Sequence, residues 1–120
     1  EGFDDPARSL AKGEIVRNEQ TSGSICDAIL TPAPGNITFP IMSRLCGPGL
    51  VVSDEEVQRA MAAAFNRLKI VLEPGGAVAL AAALYRPEQV SGDAVVVIAS
   101  GGNVDAGVYR EALERFGDAP

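Results

Sequence analysis

Two short stretches of this sequence carry residue types arranged for chemistry. Ser100-Gly101-Gly102-Asn103 follows an apolar run, and Glu73-Pro74-Gly75-Gly76-Ala77 opens a helical pattern. Ligands of open α/β sheets sit beyond the carboxyl ends of strands, where a loop such as 100–103 lies. Its two glycines let backbone pass close to a flat ligand, and the Ser100 hydroxyl can donate or accept a hydrogen bond. The plainer reading is a strand-to-helix turn whose Asn or Asp caps the next helix, and the residues alone leave both open. In the other stretch, Glu73 can cap amides at a helix start and gain from the helix dipole. Gly75 and Gly76 in a first turn cost roughly 1 kcal/mol each relative to Ala. A helix accepts that cost where a ligand or another backbone packs closely, and simple close packing is the reading the residues favour.

Composition narrows the chemistry further. The 120 residues hold no His, which removes His triads, His metal sites and His proton shuttles together. Ten basic against sixteen acidic residues give a net charge of −6, a surface that repels phosphate backbones, so no nucleic-acid partner is expected. Cys26 and Cys46 stand apart with no second thiol near either, which excludes a Cys-rich zinc site and suits a reducing, cytoplasmic setting. No apolar run reaches membrane-spanning length, so no membrane partner is expected either. The opening residues, Glu1-Gly2-Phe3-Asp4-Asp5, are no signal peptide and read as the interior of a longer protein.

The elements that must position these residues follow from local pattern. Asp4, Asp5 and Pro6 before Ala7-Arg8-Ser9-Leu10 predict a short helix closed by Gly13. Residues 14–24 read as a polar loop, 25–30 as a short mixed segment and 31–35 as a Pro-rich loop. Apolar residues at 37, 41 and 45 predict a helix with Pro40 in its first turn, stopped by Gly47-Pro48-Gly49. Leu50-Val51-Val52 predicts a brief strand. Ser53-Asp54-Glu55-Glu56 is a capping box, followed by a helical stripe at 57, 61, 64, 65, 68 and 71. Glu73 and Pro74 then restart a helix whose residues 77–84 are apolar on every side, which predicts burial. The run 94–99 predicts a parallel strand covered on both faces, and 105–116 a final amphipathic helix. The class is α/β. Two strands do not make a sheet, so further strands from elsewhere are expected beside them.

Taken in order, these segments resemble one family. Glu73-Pro-Gly-Gly-Ala-Val-Ala-Leu-Ala-Ala, then the apolar run, then Ser100-Gly-Gly-Asn-Val-Asp105 are similar to the pyridoxal-phosphate-dependent serine/threonine dehydratases and serine racemases, whose fold is shared with tryptophan synthase β subunits. Asp4-Asp5 with Ala7-Arg8-Ser9-Leu10, Pro34-Gly35 with Thr38-Phe39-Pro40-Ile41, and Val52-Ser53-Asp54-Glu55-Glu56 match in the family's order. The resemblance covers nearly the whole chain. It implies that residues 1–120 are the C-terminal part of the large cofactor-binding domain of a parallel-sheet enzyme.

The resemblance also implies roles. The cofactor is pyridoxal 5′-phosphate, the substrate a small hydroxy amino acid, and the products of elimination a 2-oxo acid and ammonia. Racemisation on the same site, or a non-catalytic module of the same fold, are the alternatives. Ser100 corresponds to the residue that hydrogen-bonds the cofactor's ring nitrogen, Gly101 and Gly102 lie against the ring edge, and Glu73 sits near the ring. The family's cofactor-binding Lys and phosphate-cradling loop match nothing here, since Lys12 and Lys69 lack the surrounding motif; no catalytic residue is assigned and these residues alone are expected to be inactive. The family's divalent-cation site places Mg²⁺ or Ca²⁺ on the Phe3 carbonyl and the Asp5 carboxylate, while the residues themselves equally suit a helix start. Asn36-Ile37-Thr38 fits a glycosylation pattern and is taken as chance. The apolar strand is expected to be covered by the rest of the parent chain or by a homo-oligomer.

Overall fold

The structure is a computed structural model that describes residues 1–118. Helix α1 (Asp5–Lys12) carries Pro6 in its first turn and ends on Gly13 in the left-handed region (φ 76°), as its sequence dictates. Arg8 pairs with Asp4 one turn earlier, and Asn18 and Val16 bond back to Asp5 and Ser9, so the polar loop is stitched onto the helix. The mixed segment forms a single 3₁₀ turn, Asp27–Ile29. Helix α2 (Phe39–Leu45) follows, with Pro40 in its first turn.

Helix α3 (Asp54–Ala63) opens on the complete capping box. The Ser53 hydroxyl accepts the Glu56 amide at 3.2 Å, and the Glu56 carboxylate accepts the Ser53 amide at 2.8 Å. Burial pushes the Glu56 carboxyl up, but hydrogen bonds from Arg86 and Ser53 outweigh it and hold it below the usual carboxylate range. The expected stripe holds only in part. Val57, Met61 and Ala64 are buried, whereas Phe65, Leu68 and Val71 are exposed. The cause is a π-helical turn, Ala64–Leu68, which shifts the phase of the positions after it and ends on Lys69 at φ 59°.

Helix α4 (Pro74–Tyr85) and helix α5 (Ala106–Phe116) both pack against α3. The core lies among these three helices, around Val57, Ala60, Met61, Ala77, Ala81 and Ala112. Small residues on α4 let its axis approach closely; Ala77 and Ala81 are fully buried. Its opposite face is not covered: Ala79 and Leu84 are exposed. That corrects the expectation of burial on every side.

Among the described residues none pairs in a sheet, which departs from the strands expected at 50–52 and 94–99. A strand exists only through a ladder of bonds to a neighbour, and neither run lies alongside another that completes one. Val96 is 85% and Ile98 68% exposed. The molecule is a slab of 41 × 36 × 19 Å. Its thin dimension is less than two helix diameters of about 10–12 Å each, too thin to cover both faces of an apolar layer. None of the described helices is long and apolar enough to cross a membrane.

Candidate functional site

The two stretches singled out by residue type meet in space. The Glu73 amide donates to the Gly101 carbonyl at 3.0 Å, and the Asn103 amide donates to a Glu73 carboxylate oxygen at 3.1 Å. Glu73 stands at the N-cap position of α4, yet its side chain makes no bond to that helix. The expected cap is therefore not formed: the carboxylate turns away to the 100–103 loop, whose free amide competes for it. Asp105 does the capping for α5, accepting from the Gly107 amide at 2.7 Å.

Close packing explains Gly76 in α4, whereas at Gly75 a Cβ would meet only ordinary contacts. A Cβ on Gly76 would lie 2.5 Å from the Gly101 carbonyl oxygen, and one on Gly75 would touch Ala28 and Ile29 at 3.4 Å. The neighbour that Gly76 admits is another backbone. Ser100 is exposed, and its hydroxyl makes no hydrogen bond among the described residues. It is thus free to serve a ligand, in the same loop as the Asn103 amide that holds the Glu73 carboxylate. Sequence reading missed the third wall. Ala28 and Ile29 on the 3₁₀ turn stand against Gly75, and nothing in the mixed segment 25–30 announces that pairing, which is a contact over more than forty residues.

Phe3 and Asp5 line a separate open cleft with Asp4, Leu50 and Val78, which shares Ala28 and Ile29 with the first site as a common wall. Asp5 is 1% exposed. One of its oxygens, Oδ1, accepts from Asn18 Nδ2 at 2.7 Å, while Oδ2 is buried without a partner. Neither Asp4 nor Asp5 caps α1 through its side chain, since Asp4 is taken by Arg8 and Asp5 by Asn18. Among the described residues no three acidic or thiol groups converge as a metal cage.

The family model for pyridoxal-phosphate dependent enzymes matches residues 1–101 of the chain. The chain belongs to that family. A serine racemase of Dictyostelium discoideum is 39% identical over 115 residues, covering 93% of this chain and 35% of the relative. An L-threonine ammonia-lyase of Geobacter sulfurreducens is 40% identical over 108 residues, 89% of this chain and 26% of the relative. The solved structure of maize serine racemase superposes with a TM-score of 0.81 at 33% identity, over 96% of this chain and 36% of the other. The chain spans about a third of the length of the curated relatives it matches. Its fold is accordingly part of the α/β, tryptophan synthase β-like fold of these pyridoxal-phosphate enzymes. The residues present fit that cofactor: an exposed neutral hydroxyl without a partner among the described residues stands in the same loop as the amide that holds the Glu73 carboxylate.

Proposed function

We propose that the protein carrying this chain is a pyridoxal-phosphate-dependent ammonia-lyase acting on a small hydroxy amino acid such as serine or threonine, and that residues 1–120 are the C-terminal part of its large cofactor-binding domain. The observation that carries the reading is the Glu73–Asn103 junction with the unpartnered Ser100 hydroxyl beside it. When bound, the cofactor supplies an electron sink for the substrate's α-carbon. Ser100 would hold the ring nitrogen by a neutral hydrogen bond, which, unlike a carboxylate, would not keep that nitrogen protonated and would moderate the sink. Glu73, its carboxylate fixed by the Asn103 amide, would sit near the ring, and Gly101 and Gly102 would let the loop lie against the ring edge. Asp5 Oδ2, buried and unpartnered, together with the Phe3 carbonyl, takes a Mg²⁺ or Ca²⁺ ion, the oxygen donors such ions favour. Further strands, from the rest of the protein or a second copy, cover 94–99.

Racemisation on the same site is the second reading, favoured by the relatives named serine racemase. One assay separates the two. The protein carrying this chain is supplied with pyridoxal phosphate and L-serine or L-threonine, and ammonia, 2-oxo acid and D-serine are measured. Ammonia and 2-oxo acid in equal amounts support the lyase, D-serine in excess supports the racemase, and neither product refutes both. The 120 residues alone are expected to release no ammonia, because the attaching Lys and phosphate loop of the family match nothing in them.

A further inference from the structure

The three glycines around the Glu73 junction are crowded by different things. A Cβ on Gly76 would meet the Gly101 carbonyl oxygen at 2.5 Å, and one on Gly102 would meet the Val71 carbonyl oxygen at 2.7 Å. Both obstacles are backbone, and the Gly101 carbonyl is held by the Glu73 amide. For a Cβ on Gly101 the three nearest atoms would instead all belong to the Glu73 carboxylate, with Oε1 at 2.7 Å, Cδ at 2.8 Å and Oε2 at 3.0 Å. That group is the end of a side chain with three rotatable bonds, so it can swing aside at small cost. Gly101 is not among the glycines with positive φ, so its backbone conformation does not itself demand glycine.

We infer that Gly101 is a positioning residue for Glu73: the empty Cβ site is what lets the carboxylate lie on the Asn103 amide, and filling it displaces the carboxylate without unfolding the chain. Ordinary contact needs a separation larger by about 0.7 Å, and a shift of that order near reacting atoms can cost roughly 10²-fold in rate. The inference rests on the cofactor reading for its effect on activity, and on this chain's geometry alone for its effect on Glu73.

The test compares Gly101→Ala, Gly102→Ala and Gly76→Ala in the protein carrying this chain. Gly101→Ala melts within about 4 °C of the parent, while the other two melt lower by about 4 °C or more. The Asn103 amide proton, followed by NMR, loses the downfield shift of a charge-assisted bond in Gly101→Ala, as it does in Glu73→Ala. With pyridoxal phosphate bound, Gly101→Ala lowers turnover roughly 10²-fold. On a Glu73→Asp background, whose shorter side chain already leaves the space, adding Gly101→Ala changes turnover by less than about twofold. An unmoved Asn103 amide in Gly101→Ala overturns the inference. So does an equal loss on both backgrounds, which would mean that the alanine acts on something other than Glu73. A parent that binds no pyridoxal phosphate refutes the cofactor reading, and the Asn103 amide still decides whether Gly101 positions Glu73.

Discussion

The α3–α4–α5 layer and the 94–99 run are both built from small and β-branched apolar residues, and they end in opposite states. Met61 is fully buried, as are Ala60, Ala77, Ala81 and Ala112, while Val95, Val96 and Ile98 stand in solvent. Hydrophobicity does not separate them, because the run is the more apolar of the two. What separates them is the source of the backbone's hydrogen bonds. A helix satisfies its own amides and carbonyls and can present a finished face to a neighbour in the same chain. A strand must borrow its partners, and among the described residues none pairs with this run. The three helices close a core among themselves, although α4 keeps an exposed face at Ala79 and Leu84, and the run has no pairing neighbour among the described residues.

That contrast can be broken by mutation. Met61→Ala removes a fully buried side chain from the helical core and should cost about 2–5 kcal/mol, read as a large fall in melting temperature. If it melts like the parent, the three helices are not the core. Ser53→Ala removes the hydroxyl that accepts the Glu56 amide and should cost about 0.5–2 kcal/mol by chemical denaturation. A smaller effect is expected with acid. Because the folded Glu56 carboxyl is held below its ordinary value of 4.5, its contribution to stability is present above that pH and is lost as pH falls through the folded value. A melting curve recorded from neutral pH to below 4.5 should therefore decline, and Glu56→Gln should flatten part of that decline. An unchanged slope removes Glu56 from the account. The smallest change in fold stability should come from Val96→Ser, within about 0.5 kcal/mol in these residues alone. The same substitution should reduce self-association in light scattering, since it removes apolar surface that is 85% exposed. A core-sized loss of stability there would show the run to be buried after all.

Legibility followed the same division. The helix at 5–12, the Pro40 first turn, the capping box at 53–56, the restart at Pro74 and the Asp105 helix start were all readable, because each depends on residues within one turn of another. The phase of the α3 stripe was not, since a π turn at 64–68 inserts a residue's worth of rotation that no motif in Ala64-Phe65-Asn66-Arg67-Leu68 announces. The family's resemblance singled out Glu73, Ser100, Gly101 and Gly102, and the structure brings Glu73 onto the loop that the other three form. It also places Phe3 and Asp5 in one cleft.

By itself, then, the sequence determined where helices begin and end and which residues carry polar chemistry, because caps, prolines and periodicity act over a few residues. Only the tertiary structure decided where those groups point. Glu73 is by sequence a helix cap, but its carboxylate turns to an amide thirty positions on. Asp5 reads as a helix-start carboxylate, and its Oδ2 lies buried without a partner because Asn18 claims the other oxygen. Gly101 reads as loop freedom, and it is the space that Glu73 fills. In each case the competing partner is remote along the chain, and a side chain chooses between a near and a far hydrogen bond only once packing has brought the far one within reach.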